Sequence, residues 1–190
     1  MAKLSKYSLE KYNSLPLPEL ANDELKKKEV EFKELLNNFI LLIKKYNLEL
    51  GLRLLHSHNI PLEGEQAMVE KFDYFETEPA LITLADSPNE SYPASWILVD
   101  DQYLVFEYST DLYVKKVYER LVEDSYVLDE ISMLIRKYNL DSLIGPCITT
   151  RETLSKFDIR EGQAFVEHTI NIDDKFVNIV QSRPNESAVK

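Results

Sequence analysis

Phe32, Leu35, Leu36, Phe39, Ile40 and Ile43 fall at i, i+3, i+4, i+7, i+8 and i+11. This stripe at helical period limits what the chain can fold into. A helix so patterned has one face that must leave water, so it needs a second layer to cover. We place the helix at residues 23–46, with Asn22 as its N-cap and Lys26, Lys27 and Lys28 on its solvated start. Ahead of it, "SLPLPEL" carries Pro16 and Pro18, which break a helix and favour an extended connector. Residues 1–21 therefore read as an N-terminal arm.

The middle of the chain supplies the second layer. "LELGLRLLHSH" (48–58), "QAMVEKFDYF" (66–75), "ALITLA" (80–85), "SWILVD" (95–100) and "QYLVFEYS" (102–109) are rich in aliphatic and aromatic residues. Pro, Asn, Asp and Gly signals separate them, as strands require. "LVDDQYL" reads as a tight hairpin through Asp100 and Asp101. Helical period then returns with Val114, Val117, Tyr118 and Leu121, and again with Val127, Leu128, Ile131, Leu134, Ile135 and Tyr138. Asp124 or Ser125 caps the second of these segments. "QAFVEHTINI" and "KFVNIVQS" are late strands around a turn at Asp173 and Asp174. The pattern is that of an α+β fold, a mostly antiparallel sheet with two long amphipathic helices packed on one face. Residues 22–182 form a single domain, and residues 183–190 form a frayed tail.

One octapeptide occurs twice in near copy, as "LIKKYNLE" (42–49) and "LIRKYNLD" (134–141). Each copy ends a periodic helix and precedes an apolar run. Basic residues complement the dipole of a helix C-terminus, and Asn47 or Asn139 takes a left-handed cap. Two copies are too few for a solenoid. A shared helix-to-strand corner, from an old duplication or from convergent capping chemistry, accounts for the echo.

Composition removes several classes of function. A chain of 190 residues with 44% hydrophobic and 11% aromatic content can bury a core. A net charge of −11 argues against a nucleic-acid partner, because phosphate-backbone binders cluster Lys and Arg. The longest apolar run, "FILLI", is far too short to span a bilayer. The N-terminus has early lysines but no apolar core of a secretory signal, so a cytoplasmic location is expected, with non-classical export left open. The single cysteine, Cys147, excludes an internal disulfide and a multi-cysteine zinc knuckle.

Candidate chemistry concentrates in "LLHSHNIPLEGE" (54–65). On an extended strand Leu50, Leu52, Leu54, His56 and His58 share a face, the two imidazoles standing about 6–7 Å apart at Cα. That separation lets both reach one metal ion. Glu63 or Glu65 follows a turn and supplies an oxygen ligand, and His168 on a late strand is a possible fourth ligand. These ligand types suit a divalent transition metal such as zinc, or iron or copper. The opposite reading is a structural histidine pair held by nearby acids.

Gly51, His56, His58 and Glu63 resemble the first motif of the cupin family. They depart from it in the glycine spacing, the missing glycine after the glutamate and the two long helices. A broader resemblance covers "LLHSHNIPLEGEQAMVE", "SYPASWILVDDQYLVFEY" and "FVEHTINIDDKFVNIV". These are similar to landmarks of a set of uncharacterised bacterial and fungal proteins with a Leu-x-His-x-His segment, a following Gly-Glu and a Tyr-Pro-x-x-Trp block. That resemblance points to Glu65 rather than Glu63 and names no reaction.

Other residues offer weaker leads. Cys147 in "IGPCITT" is a candidate nucleophile or a small buried side chain. No nucleophile elbow, phosphate loop or dinucleotide fingerprint is present. The acid pairs at Asp100–Asp101 and Asp173–Asp174 read as solvated turn residues. Tyr92 and Trp96 in "YPASW" are either core or an exposed recognition patch. With no strong catalytic signature, the expectation is an acidic protein-interaction or regulatory module, favouring basic partners, with a metal-binding protein or metal-dependent enzyme as the alternative.

Overall fold

A computed structural model describes residues 3–46, 48, 50–57, 61–71, 81–86, 89–124, 126–148, 164–172 and 175–183. The helix expected at residues 23–46 is two helices, α2 (Pro18–Lys27) and α3 (Glu29–Tyr46), meeting at Lys28. Pro18 does not forbid the first of them. It stands in the opening turn, where a missing N–H costs nothing and its fixed φ suits the helix. Asn22 is accordingly no N-cap but a buried residue inside α2.

The arm is also more than a lead-in. Strand β1 (Lys3–Ser5) pairs in parallel with β6 (Gln102–Ser109), from Lys3 opposite Gln102 to Ser5 opposite Leu104. Helix α1 (Leu9–Asn13) is capped by the Ser8 hydroxyl, which accepts the Lys11 N–H at 3.2 Å. It buries Tyr12 completely. The Asn13 amide then clamps Leu62, donating to its carbonyl and accepting its N–H, both at 3.0 Å.

The remaining elements are β2 (Leu50–Leu54), β3 (Ala67–Lys71), β4 (Leu81–Ala85), β5 (Tyr92–Val99), α4 (Leu112–Glu123), α5 (Tyr126–Lys137), β7 (Ile144–Ile148), β8 (Ala164–Ile172) and β9 (Lys175–Arg183). The nine strands form one sheet in the order β4-β3-β6-β5-β7-β2-β9-β8, with β1 beside β6. Most neighbours are antiparallel; β1 and β3 on β6, and β9 on β2, are parallel. The α+β architecture and the mostly antiparallel sheet are therefore as the periodicities indicate. The β5–β6 hairpin turns at Asp100, whose φ of 49° lies in the left-handed region. Asp124 closes α4 as its C-cap, whereas Ser125 lies outside the described residues. Strands β8 and β9 pair from Ala164 opposite Arg183 to Ile172 opposite Lys175, and the expected turn acids Asp173 and Asp174 lie outside the described residues.

Alternation along the strands divides the core between two faces. Leu50, Leu52 and Leu54 with Ala94, Trp96, Leu98, Tyr103 and Val105 pack under the buried stripes of α3, α4 and α5. Ala21 and Leu25 of α2 join the same cluster. On the other face Ile97, Met68 and Phe106 meet Leu55, Leu62 and the arm residues Tyr12 and Leu15. Gly145 marks a close approach of two strands within the sheet. A Cβ there would lie 1.9 Å from the Trp96 carbonyl oxygen, so β7 can pass β5 this closely only with glycine.

Both copies of the repeated octapeptide end a helix in the same way. The Leu48 N–H reaches the Ile43 carbonyl at 3.3 Å, and the Leu140 N–H reaches the Ile135 carbonyl at 3.3 Å. This is the six-to-one bond of a Schellman turn. Asn139 takes the left-handed cap, with φ of 54°, while Asn47 lies outside the described residues. The strands that follow, β2 and β7, pair antiparallel, Leu52 opposite Pro146 at the centre.

Candidate functional site

Three groups of residues are placed by this fold: a charged row inside the sheet, the histidine segment, and the outer seam between α3 and α5.

The charged row lies on the face covered by the arm. Arg53 on β2 forms an ion pair with Glu107 on β6, both withdrawn from solvent. The Ser95 hydroxyl on β5 donates to the same Glu107 carboxylate at 3.3 Å. Glu70 on β3 is paired with Ser109, and its carbonyl accepts the Thr110 N–H at 3.0 Å. Loss of hydration pushes the Glu70 carboxyl up to about 7; Arg53 opposes the shift, and the charges of Glu107 and Asp111 add to it. Asp111 caps α4 by accepting the Tyr113 N–H at 2.8 Å. Strand β1 covers the Gln102–Leu104 stretch of β6 and β3 covers Tyr108–Ser109, so Glu107 lies between them. Tyr7 follows β1, its ring 6.1 Å from those of Tyr12 and Tyr108. Its hydroxyl is closed off from water without a hydrogen-bond partner among the described residues, and burial raises its pKa well above that of a free tyrosine. Chemically the row is an ion pair beside a carboxyl that keeps its proton near neutrality. Sequence reading missed it. The available signal was charge set inside three apolar runs, Arg53 in "LGLRLL", Glu70 beside Lys71 in "AMVEKF" and Glu107 in "LVFEYS".

The histidine segment is arranged differently from the strand expected at 48–58. Strand β2 ends at Leu54, two residues short of His56, and Leu54, Leu55 and His56 are all buried. The equal-parity argument for His56 and His58 therefore loses its basis, because the chain leaves the sheet before His56. The Leu55 N–H goes to the Leu143 carbonyl at 2.8 Å and the Ser57 N–H to Pro16 at 2.8 Å. His56 sets its ring edge on Phe106, centroids 6.3 Å apart, and its Nδ1 donates to the Ser57 carbonyl at 3.1 Å. Glu63 and Glu65 are exposed around a turn in which Gly64 has φ of 58°. His58 lies outside the described residues. Position 168 on β8 is opposite Ile179, which is itself opposite Leu52, so its backbone is in line with Leu52 rather than with His56. Among the described residues no three His, Cys, Asp or Glu side chains form a group able to hold a metal.

Trp96 is fully buried with its ring stacked on Tyr118 at 6.4 Å, so it belongs to the core and not to an exposed patch. Tyr92 is half-buried beneath the Lys115 ammonium, 5.4 Å from its ring centre. Cys147 is a buried thiol in β7, directly across from Ser95.

The third group is on the surface. Lys28 at the head of α3 donates to the Asn139 carbonyl beyond the end of α5 at 2.5 Å. At the other end, Lys45 and the Tyr46 hydroxyl both reach Glu130, each at 2.7 Å. The two helices thus run antiparallel. Aligning "NFILLIKKYNLE" (38–49) with "EISMLIRKYNLD" (130–141) shows a local two-fold relation. Tyr46 bonds Glu130, and its equivalent Tyr138 accepts from Asn38, the residue equivalent to Glu130, at 3.0 Å. Lys45 stands over the Tyr46 ring and Lys137 over the Tyr138 ring, 4.7 and 5.1 Å from the centres. Leu41 and Met133 are equivalent too. Helical period puts each on the outer rim of the seam, one turn from the cross-helix bonds. They are 65% and 62% exposed, and Tyr126, on the same stripe of α5 as Met133, is 67% exposed. Among the described residues no helix is long and apolar enough to cross a membrane. Compared with known proteins, the chain matches no family model, no curated protein and no solved structure.

Proposed function

We propose that this chain is a protein-interaction module and that its contact surface is the α3–α5 seam. One observation carries the reading: Leu41, Met133 and Tyr126, each more than 60% exposed, crowd a single seam whose polar neighbours already bond one another. Isolated exposed apolar residues are ordinary, whereas several gathered on one rigid seam mark a surface that another protein covers. Tyrosine and methionine are also enriched in interface centres. The charged row plays the structural part here, joining β2, β5 and β6 on the sheet face that the arm covers.

The test is photo-crosslinking in cells that make the protein. A photoreactive phenylalanine analogue is placed at position 41 or 133, with position 112 on α4 as control, where Leu112 is exposed away from the seam. Discrete protein adducts from 41 and 133, absent from 112, are the expected result. A chain that forms no discrete adduct from either seam position does not use this surface for protein binding.

A further inference from the structure

Resting on the reading of the seam as a protein contact, we infer that its partner is a second copy of this chain, docked seam to seam so that Leu41 and Met133 of both copies meet at the centre. An isologous contact demands a self-complementary patch, in which whatever one subunit offers the other must accept. This seam meets the demand in shape and in charge.

In shape, the local two-fold relation between α3 and α5 places equivalent apolar side chains, Leu41 and Met133, on either side of the seam. A dimer axis lying in the plane of the helical layer then brings four such side chains around one point. The arrangement is two antiparallel helices stacked on two, a four-helix contact. In charge, both helices carry acids in the first turn and bases in the last. For α3 these are Glu29 and Glu31, then Lys44 and Lys45; for α5 they are Asp129, then Arg136 and Lys137. Because α3 and α5 are antiparallel, either in-plane axis, along the helices or across them, lays each helix antiparallel over a helix of the other copy. Acidic starts then fall on basic ends at all four corners. A chain of net charge −11 ought to repel its own kind, and this local pattern offsets that repulsion at this face.

Sedimentation equilibrium on the full chain tests the inference, over a series from about 1 µM to about 500 µM, the range of weak specific interfaces. The wild-type protein is expected to pass reversibly from 22.1 kDa to twice that mass. Leu41→Asp and Met133→Asp are each expected to raise the dissociation constant about ten-fold or more, as truncation of a central contact does. Leu112→Asp leaves it unchanged. Both seam positions are exposed in the single chain, so the helical circular dichroism of the variants should match wild type. A monomer at every concentration overturns the inference, as does a dimer whose dissociation constant neither seam substitution moves. In that event crosslinks from 41 and 133 to a different protein leave the interaction module standing, while their absence removes that reading as well.

Discussion

Glu70 offers a test in which two opposing electrostatic effects predict opposite slopes. Its carboxyl sits in β3 beside the Arg53–Glu107 pair, and loss of hydration moves its pKa from 4.5 to about 7. Arg53 pulls the other way; Glu107 and Asp111 push with burial. Below pH 4.5 folded and unfolded chains both hold the proton, and the group contributes no pH dependence. Between 4.5 and about 7 the unfolded chain ionises first, so native stability falls as pH rises. Above about 7 both states are ionised and the penalty is constant. At about 1.4 kcal/mol per pH unit, the interval amounts to about 3 kcal/mol. Glu70→Gln removes the titration while keeping the shape of the protonated side chain. The measurement is urea unfolding of both proteins, followed by far-UV circular dichroism at about pH 5, 6, 7 and 8. The stability of the variant relative to wild type should climb by about 2.5 kcal/mol across that series, most of it below pH 7. Titrating groups not coupled to Glu70 cancel in the difference. A flat difference would refute the argument from burial. A difference of opposite slope would show that Arg53 outweighs desolvation and that Glu70 is held as a carboxylate.

Three further substitutions probe the framework by equilibrium unfolding. Gly145→Ala puts a methyl 1.9 Å from the Trp96 carbonyl oxygen; separating β7 from β5 enough to admit it should cost about 3 kcal/mol, and a loss near zero would mean that the strands do not approach so closely. Arg53→Met leaves the Glu107 carboxylate buried without its cation, a loss of about 3–5 kcal/mol at neutral pH, of which adding Glu107→Leu should restore a large part; if the double variant is no better than the single one, the buried charge is not the cause. Asn139→Ala removes the short polar side chain that lets asparagine tolerate the left-handed cap at φ of 54° and should cost about 1 kcal/mol, whereas Asn139→Gly, with no β-carbon, should cost nothing or stabilise slightly.

Local chemistry explains what could be read from the sequence and what could not. The stripe from Phe32 to Ile43 and the two caps at the octapeptide are short-range features, and the structure contains both, including the left-handed Asn139. Pattern and structure part where a residue's role depends on its exact place in an element or on a distant partner. Pro18 reads as a helix breaker because proline is one everywhere but in the first turn, and only the N-cap position of Leu17 ahead of it decides that. The strand reads through His56 because Leu54 and Leu55 are both apolar, and period-two alternation cannot show which of two adjacent leucines leaves the sheet. Likewise Arg53, Glu70 and Glu107 look like ordinary strand charges until β2, β3 and β6 are assembled around the arm. The octapeptide held more than its capping role. Its tyrosines bond across to residues about two helical turns before the other tyrosine, so the echo records a contact between copies as well as a fold of each copy. A duplication that merely reused a good cap would have no reason to keep Asn38 and Glu130 in register with the opposite tyrosine. Their reciprocal bonding means the two corners were built to pack on each other, and that packing is what leaves Leu41 and Met133 facing outward together.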